Sequence, residues 1–156
     1  KSTLLAKLQQ LLSAKREISL GFMPQDYHQK LQLDLSPVAY LSHTGQKEEL
    51  QKIQSHLASL NFSYPEMHHQ IRSLSGGQQG KLLLLDLVLR KPNFLLLDEP
   101  TRNFSPTSQP EIRKLFASYP GGLITVSHDR RFLKEVCTSI YRLTDRGLEV
   151  VDLQDL

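Results

Sequence analysis

Long apolar stretches are missing from this chain: no run in its 156 residues approaches the ~18 that a membrane-spanning helix needs. That excludes a helical span and predicts a soluble chain. Cysteine is nearly missing as well, since the single Cys137 cannot form an intrachain disulfide, which fits a reducing compartment. A small buried apolar residue is the preferred reading of Cys137. The chain opens at Lys1 with no initiating Met, no basic-then-apolar leader and no small-residue cleavage pattern, so it carries no mark of secretion and is expected to continue upstream. Internal repeats, low-complexity segments and sustained heptads are lacking, the last of which argues against a long coiled coil. Neither sign of charge dominates: 19 Lys and Arg against 16 Asp and Glu give a net +3 and a pI near 9.0. This mildly basic balance is consistent with nucleotide, RNA or anionic lipid as partner. What is present, 39% hydrophobic and 22% charged residues, is ordinary for one globular domain of this length.

Leu4, Leu5, Leu8, Leu11 and Leu12 recur at helical spacing behind a Ser-Thr start, predicting a helix over 2–12. A short strand is expected over 18–23, stopped by Pro24 and followed by a Gln25-Asp26-Tyr27 loop. From 29 to 73 the pattern turns to Gln-, Ser- and His-rich helices broken at Ser36-Pro37, Thr44-Gly45 and Tyr64-Pro65, a helical subdomain. A buried helix is expected over 77–89, ending before Pro92. Phe94–Leu97 and Leu123–Val126 are apolar runs of strand length with a helix near 111–118 between them. Buried strands alternating with helices imply a parallel sheet. Runs 140–143 and 148–151 around Thr144-Asp145-Arg146-Gly147 predict a hairpin.

Four places carry chemistry. Lys1-Ser2-Thr3 ahead of a helix fits the end of a phosphate-binding loop, whose Lys and Ser/Thr would reach phosphate and magnesium, but without the loop glycines the preferred reading of the tripeptide alone is an exposed cation and a helix cap. Asp98-Glu99 after Leu95-Leu96-Leu97 sets two carboxylates at a strand's carboxyl end, where open α/β sheets bind ligands. One could hold a magnesium ion and the other polarise a water; a solvated acidic turn is the alternative. Ser75-Gly76-Gly77-Gln78 opens a helix whose amides can face a phosphate, or is a capped Gly-Gly turn. His128 follows a buried strand to the same sheet edge as Glu99, whereas His28, His43, His56, His68 and His69 read as structural or surface residues. His68-His69 lacks the i, i+4 spacing of a metal pair.

In order, these segments resemble the ATP-binding cassette ATPases: the end of Walker A at Lys1–Thr3, a Q-loop at Gln25, the signature at Leu74–Gln78, Walker B at Leu95–Glu99 and the switch histidine at His128. The resemblance implies an α/β, P-loop NTPase-type parallel sheet core flanked by helices (1–28 and 74–156), with an inserted all-helical signature subdomain (29–73). It further implies ATP and Mg2+ as cofactors. Lys1 and Thr3 would contact phosphates, Ser2 and Gln25 would serve magnesium, and Asp98 would hold it through water. Glu99 would activate water and His128 would sense the γ-phosphate. Ser75, Gly76, Gly77 and Gln78 would complete the nucleotide site of a second, head-to-tail cassette, so the ATPase would act only when paired. Val126-Ser127-His128-Asp129-Arg130-Arg131-Phe132-Leu133 is similar to the VSHDRxFL form commonest in the second cassette of ABC-F proteins. That similarity points to a cytoplasmic protein acting at the ribosome or its RNA, in translation or antibiotic resistance, without direct DNA binding. The alternatives are the ATP-binding subunit of a transporter, beside a membrane subunit, and a nucleotide-dependent conformational module with little hydrolysis. Two positions depart from the family: Ser105 stands where its D-loop has Asp, and Lys81 where its signature helix commonly has Arg.

Overall fold

A computed structural model of the chain describes residues 2–24, 31–152 and 154; Lys1 and the Gln25 loop, to which the sequence assigns roles, lie outside the described residues. Strands β1 (Leu20–Met23), β2 (Phe94–Asp98) and β3 (Gly122–Val126) form a parallel sheet in the order β1-β2-β3. The parallel sheet expected from alternating strands and helices is therefore present. In the centre, Leu95, Leu96 and Leu97 are all 0% exposed, because a middle strand of a parallel sheet is covered on both faces. Leu95 and Leu97 join a core containing Leu82–Leu85 of α5 (Gly76–Leu89), Ile112 and Phe116 of α6 (Gln109–Ala117) and Phe132 of α7 (Arg130–Val136). Leu96 alternates to the other face, where α1 (Ser2–Ser13) lies against β1 and β2 and buries Leu5. Among the described residues β3 has one neighbour, and all five of its residues are only half-buried.

β1 begins two residues later than its apolar run, and Asn93 is the reason. Its side chain accepts the Ser19 N–H at 2.8 Å and donates to the Glu17 carbonyl at 2.7 Å, taking bonds that a strand ladder would otherwise supply. Its main-chain carbonyl accepts the Gly122 N–H at 3.0 Å. The approach leaves no room beside Gly121, where a Cβ would lie 2.7 Å from the Asn93 carbonyl oxygen and from the Tyr119 ring. Since a backbone oxygen cannot swing aside, Gly121→Ala is expected to cost about 1–3 kcal/mol, measurable as a lower urea midpoint at unchanged slope.

The segment from 31 to 73 is helical: α2 (Pro37–Leu41), α3 (Lys47–Ser59), α4 (Tyr64–His68) and a 3-10 turn (Ile71–Ser73). Ser36 caps α2 by accepting the Ala39 N–H, with Pro37 in the first turn. Between α2 and α3 the Glu49 carboxylate accepts the N–H groups of His43, Thr44 and Gly45 and the hydroxyls of Ser42 and Thr44. Those bonds, Ser42 first, pull its pKa down to about 2, and Gly45 supplies the φ of +69° that closes the turn. Ile53, Leu57, Phe62, Met67 and Ile71 carry this region into the shared core.

Tyr40 ties α2 to α5, its hydroxyl donating to Oδ2 of the buried Asp86 at 3.3 Å, which also accepts Arg90 Nε at 3.0 Å. Burial first, and then the Asp86 charge, pushes the Tyr40 phenol up from 10.0 to about 12. Above pH 10 the unfolded chain releases this proton and the folded chain keeps it, so Tyr40's stabilising contribution is complete below pH 10 and is lost toward pH 12. Urea midpoints across that alkaline range should fall more steeply for the wild-type chain than for Tyr40→Phe.

The expected hairpin is β4 (Ile140–Thr144) and β5 (Gly147–Val151), turning at Gly147 with φ +123°. Tyr141, Leu143, Leu148 and Val150 are exposed, and their register places them on one face of the ribbon. Helix α7 does not figure among the expected elements. Asp129 starts it by accepting the N–H groups of Arg131 and Phe132, and Phe132 buries its apolar side. Cys137, which ends it, is half-buried rather than buried, though burial still pushes its thiol up.

Candidate functional site

All three strands point their carboxyl ends the same way, so the residues following β2 and β3 meet at one edge. Asp98 ends β2 half-buried. Glu99 extends the ladder by one bond, its N–H donating to the Val126 carbonyl at 2.8 Å, and then turns sharply: its φ is +49°. A left-handed backbone is costly for a non-glycine residue, and a residue before proline prefers an extended backbone, so the position stores on the order of 1–3 kcal/mol. Three things hold it there. The Val126 bond is one; the Arg102 N–H donating to the Glu99 carbonyl at 3.1 Å across Pro100 is another; the third is the side chain.

The Glu99 side chain, 13% exposed, accepts the His128 N–H on Oε2 at 3.1 Å, while Oε1 lies 3.5 Å from His128 Nε2. His128 itself is 75% exposed, so one member of the pair is anchored and the other faces outward. Behind His128, the Ser127 hydroxyl accepts the Asp129 N–H at 3.0 Å and Asp129 Oδ1 caps α7. The buried Asp129 Oδ2 has no hydrogen-bond partner among the described residues. Helices α6 and α7 lock together through Arg113 Nε on Glu135 at 2.8 Å and through an edge-on Phe116–Phe132 contact at 6.0 Å. The segments that follow Glu99 and His128 are thus braced against each other, which fixes the separation of the two side chains.

The second polar group is the start of α5. Ser75 Oγ accepts the Gln78 N–H at 3.3 Å and Gln78 Oε1 accepts the Ser75 N–H at 3.0 Å, a capping box. Gly76 is exposed and Gly77 half-exposed; a Cβ on Gly77 would come 3.7 Å from the Asn103 carbonyl oxygen, so this helix start neighbours the loop after Glu99. Lys81, farther along the same helix, is buried and donates to the Leu60 carbonyl at 3.1 Å and to Glu111 at 2.8 Å, and Asn61 also bonds Glu111. The ammonium at this position therefore joins α5, the α3–α4 connection and α6. Ser105, which the sequence resemblance sets at the D-loop, is exposed, and its hydroxyl bonds those of Thr107 and Ser108.

Of the residues to which the sequence assigns roles, the structure brings Glu99 and His128 into contact beside Asp98, and sets Ser75, Gly76, Gly77 and Gln78 together at the start of α5. Ser2 and Thr3 lie in the first turn of α1, Thr3 exposed, while Lys1 and Gln25 lie outside the described residues. Sequence reasoning passed over Glu66, which bonds Gln78 at 2.6 Å; its signal is the repeated Ser-x-x-Glu/Gln pattern at Ser63–Glu66 and Ser75–Gln78.

Known proteins match this chain in sequence and in fold. Residues 1–102 match the family model described as ABC transporter. The probable ATP-binding protein YheS of Escherichia coli strain K12 is 32% identical over 135 residues, 86% of this chain and 21% of that protein. ATP-binding cassette sub-family F member 3 of Pongo abelii is 27% identical over 148 residues, 95% of this chain and 21% of that one. The chain thus spans about a fifth of the length of these relatives. Among solved structures, a dimeric ATP-binding cassette in a post-hydrolysis state with ADP and Pi superposes with a TM-score of 0.70 at 19% identity, covering 95% of this chain and 67% of its own. A dimeric bacterial ABC transporter cassette gives 0.71 at 19% identity, over 88% and 64% of the two chains. At that identity the likeness is one of fold.

Proposed function

Because the chain belongs to the ABC transporter family, as the match over residues 1–102 shows, we propose that it binds ATP with magnesium and hydrolyses it as one half of a paired cassette. The observation that carries this reading is the Glu99 carboxylate held against His128 at the carboxyl edge of the sheet. Such a carboxylate can accept a proton from an attacking water, and an exposed imidazole beside it can hydrogen-bond a phosphate oxygen. The donor chemistry fits the cofactors: Asp98, Ser2 and Gln25 offer hard oxygen ligands, which suit magnesium, and Lys1 and Thr3 suit phosphate. Bound magnesium would supply neutralisation of phosphate charge. Ser75, Gly76, Gly77 and Gln78 would face the nucleotide of the partner cassette, whose own signature would complete this chain's site.

The same reading divides the chain into an ATPase core, 1–28 and 74–156, and a helical subdomain, 29–73. The Val126–Leu133 segment and the sub-family F relative favour a cytoplasmic ABC-F protein that works at the ribosome. Phosphate release by the full-length protein tests the core of the proposal: it should require ATP and magnesium and stop when the metal is chelated. Release that survives chelation, or none in the paired protein, would sink hydrolysis. The ribosomal part is tested separately, by sedimentation with ribosomes in the ATP-bound state, and fails if the protein stays in the supernatant.

A further inference from the structure

Helices α4 and α5 begin with the same device, and the two copies are wired together. At α4 the Ser63 N–H and hydroxyl both reach Glu66 Oε2, at 2.7 and 2.8 Å. At α5 Ser75 and Gln78 exchange their capping bonds. Gln78 Nε2 then donates to Glu66 Oε1 at 2.6 Å, so both Glu66 oxygens and both ends of the Gln78 amide are used. A capping glutamine with a loose NH2 group could flip or leave; here a carboxylate from another helix dictates which end faces Ser75. The bonds to Ser63 and Gln78 favour the charged form and hold the Glu66 carboxyl below the usual carboxylate pKa, with the Ser63 N–H contributing most.

We propose that Glu66 is a positioning residue for the Ser75-Gly76-Gly77 turn, setting the direction of the Gln78 amide and through it the conformation in which that turn is presented. The functional side of this proposal rests on the reading that the turn meets a partner's nucleotide. Its specific content is directional: an acceptor at position 66 must face a donor at position 78, while position 78 still offers an acceptor to the Ser75 N–H. Exchanging the two side chains should therefore restore what either single change breaks. In Glu66→Gln the new amide, if its oxygen stays on Ser63, turns its NH2 on the Gln78 NH2. In Gln78→Glu two carboxylates face each other. In the double variant the NH2 introduced at position 66 donates to the carboxylate introduced at position 78, whose other oxygen still serves Ser75.

The three variants are made in the full-length protein and followed by amide hydrogen exchange at residues 75–78 and by phosphate release. Each single variant should exchange roughly tenfold faster at these amides, as the loss of one hydrogen bond implies, and release phosphate more slowly. The double variant should return to within about twofold of wild type in both. If a single variant fails to fold, Ser63→Ala, which removes one donor to Glu66 and leaves the Glu66–Gln78 bond, should show the smaller acceleration. Unchanged exchange in both single variants, or a double variant as fast as the sum of the singles, overturns the proposal. A wild-type protein that releases no phosphate but shows the exchange rescue would overturn the hydrolytic reading and leave the positioning role standing.

Discussion

Glu99→Gln in the full-length protein is expected to slow phosphate release by roughly 10²–10⁴-fold, the range that a positioned general base contributes. The substitution isolates chemistry from architecture. Glutamine matches glutamate in size, keeps an oxygen to accept the His128 N–H that now meets Oε2 at 3.1 Å, and makes the same left-handed demand on a backbone at φ +49°. What it loses is the charge and the capacity to take a proton. Release measured at saturating ATP and magnesium, with a melting curve recorded beside it, should show a large fall in rate at nearly unchanged stability. Equal rates in the two proteins would remove Glu99 from the reaction.

Phe132→Ala is expected to cost about 3–5 kcal/mol of stability, the usual range for emptying a buried aromatic site, against a total of roughly 5–15 kcal/mol for a domain. Its ring is 0% exposed and meets Phe116 edge-on at 6.0 Å and 76°, so the void would open between α6 and α7. Collapse is hindered because the Arg113–Glu135 pair holds the same two helices at 2.8 Å. The damage should reach the site: Phe132 follows His128 by one helical turn of sequence, and its own N–H is one of the two that Asp129 accepts. Urea unfolding gives the stability, and phosphate release below the new midpoint should fall with it. A cost under about 1 kcal/mol would mean that the ring is not a keystone of this interface.

Much of the sheet and its acidic edge is legible in the sequence because a buried parallel strand is an uninterrupted apolar run, and Phe94–Leu97 and Leu123–Val126 are bounded by clear punctuation at Pro92, Pro100 and Gly121-Gly122. The buried helix α5 is legible for the same reason in Leu82–Leu85. Helix α7 is harder: Arg130, Arg131, Lys134 and Glu135 surround a single buried Phe132, and only the Asp129 cap marks its start. The start of β1 at Leu20 depends on Asn93, 74 residues away from Ser19, and no local pattern encodes such a distance. The same holds for Lys81, which reads as a charge on a helix yet lies buried on partners 21 and 30 residues off. The Glu99 backbone is not legible locally: a residue before proline prefers an extended backbone, and only three converging bonds force the left-handed alternative.

Asn93 has a wider meaning for how the sheet divides its labour. With one side chain on Glu17 and Ser19 and one carbonyl on Gly122, a single residue laces β1, β2 and β3 at their amino ends. The opposite rim has a fastening of its own, the Glu99 N–H on the Val126 carbonyl backed by the locked pair α6 and α7. The sheet is thus buttoned at both ends, and the strained Glu99 corner sits a full strand length from the Asn93 button.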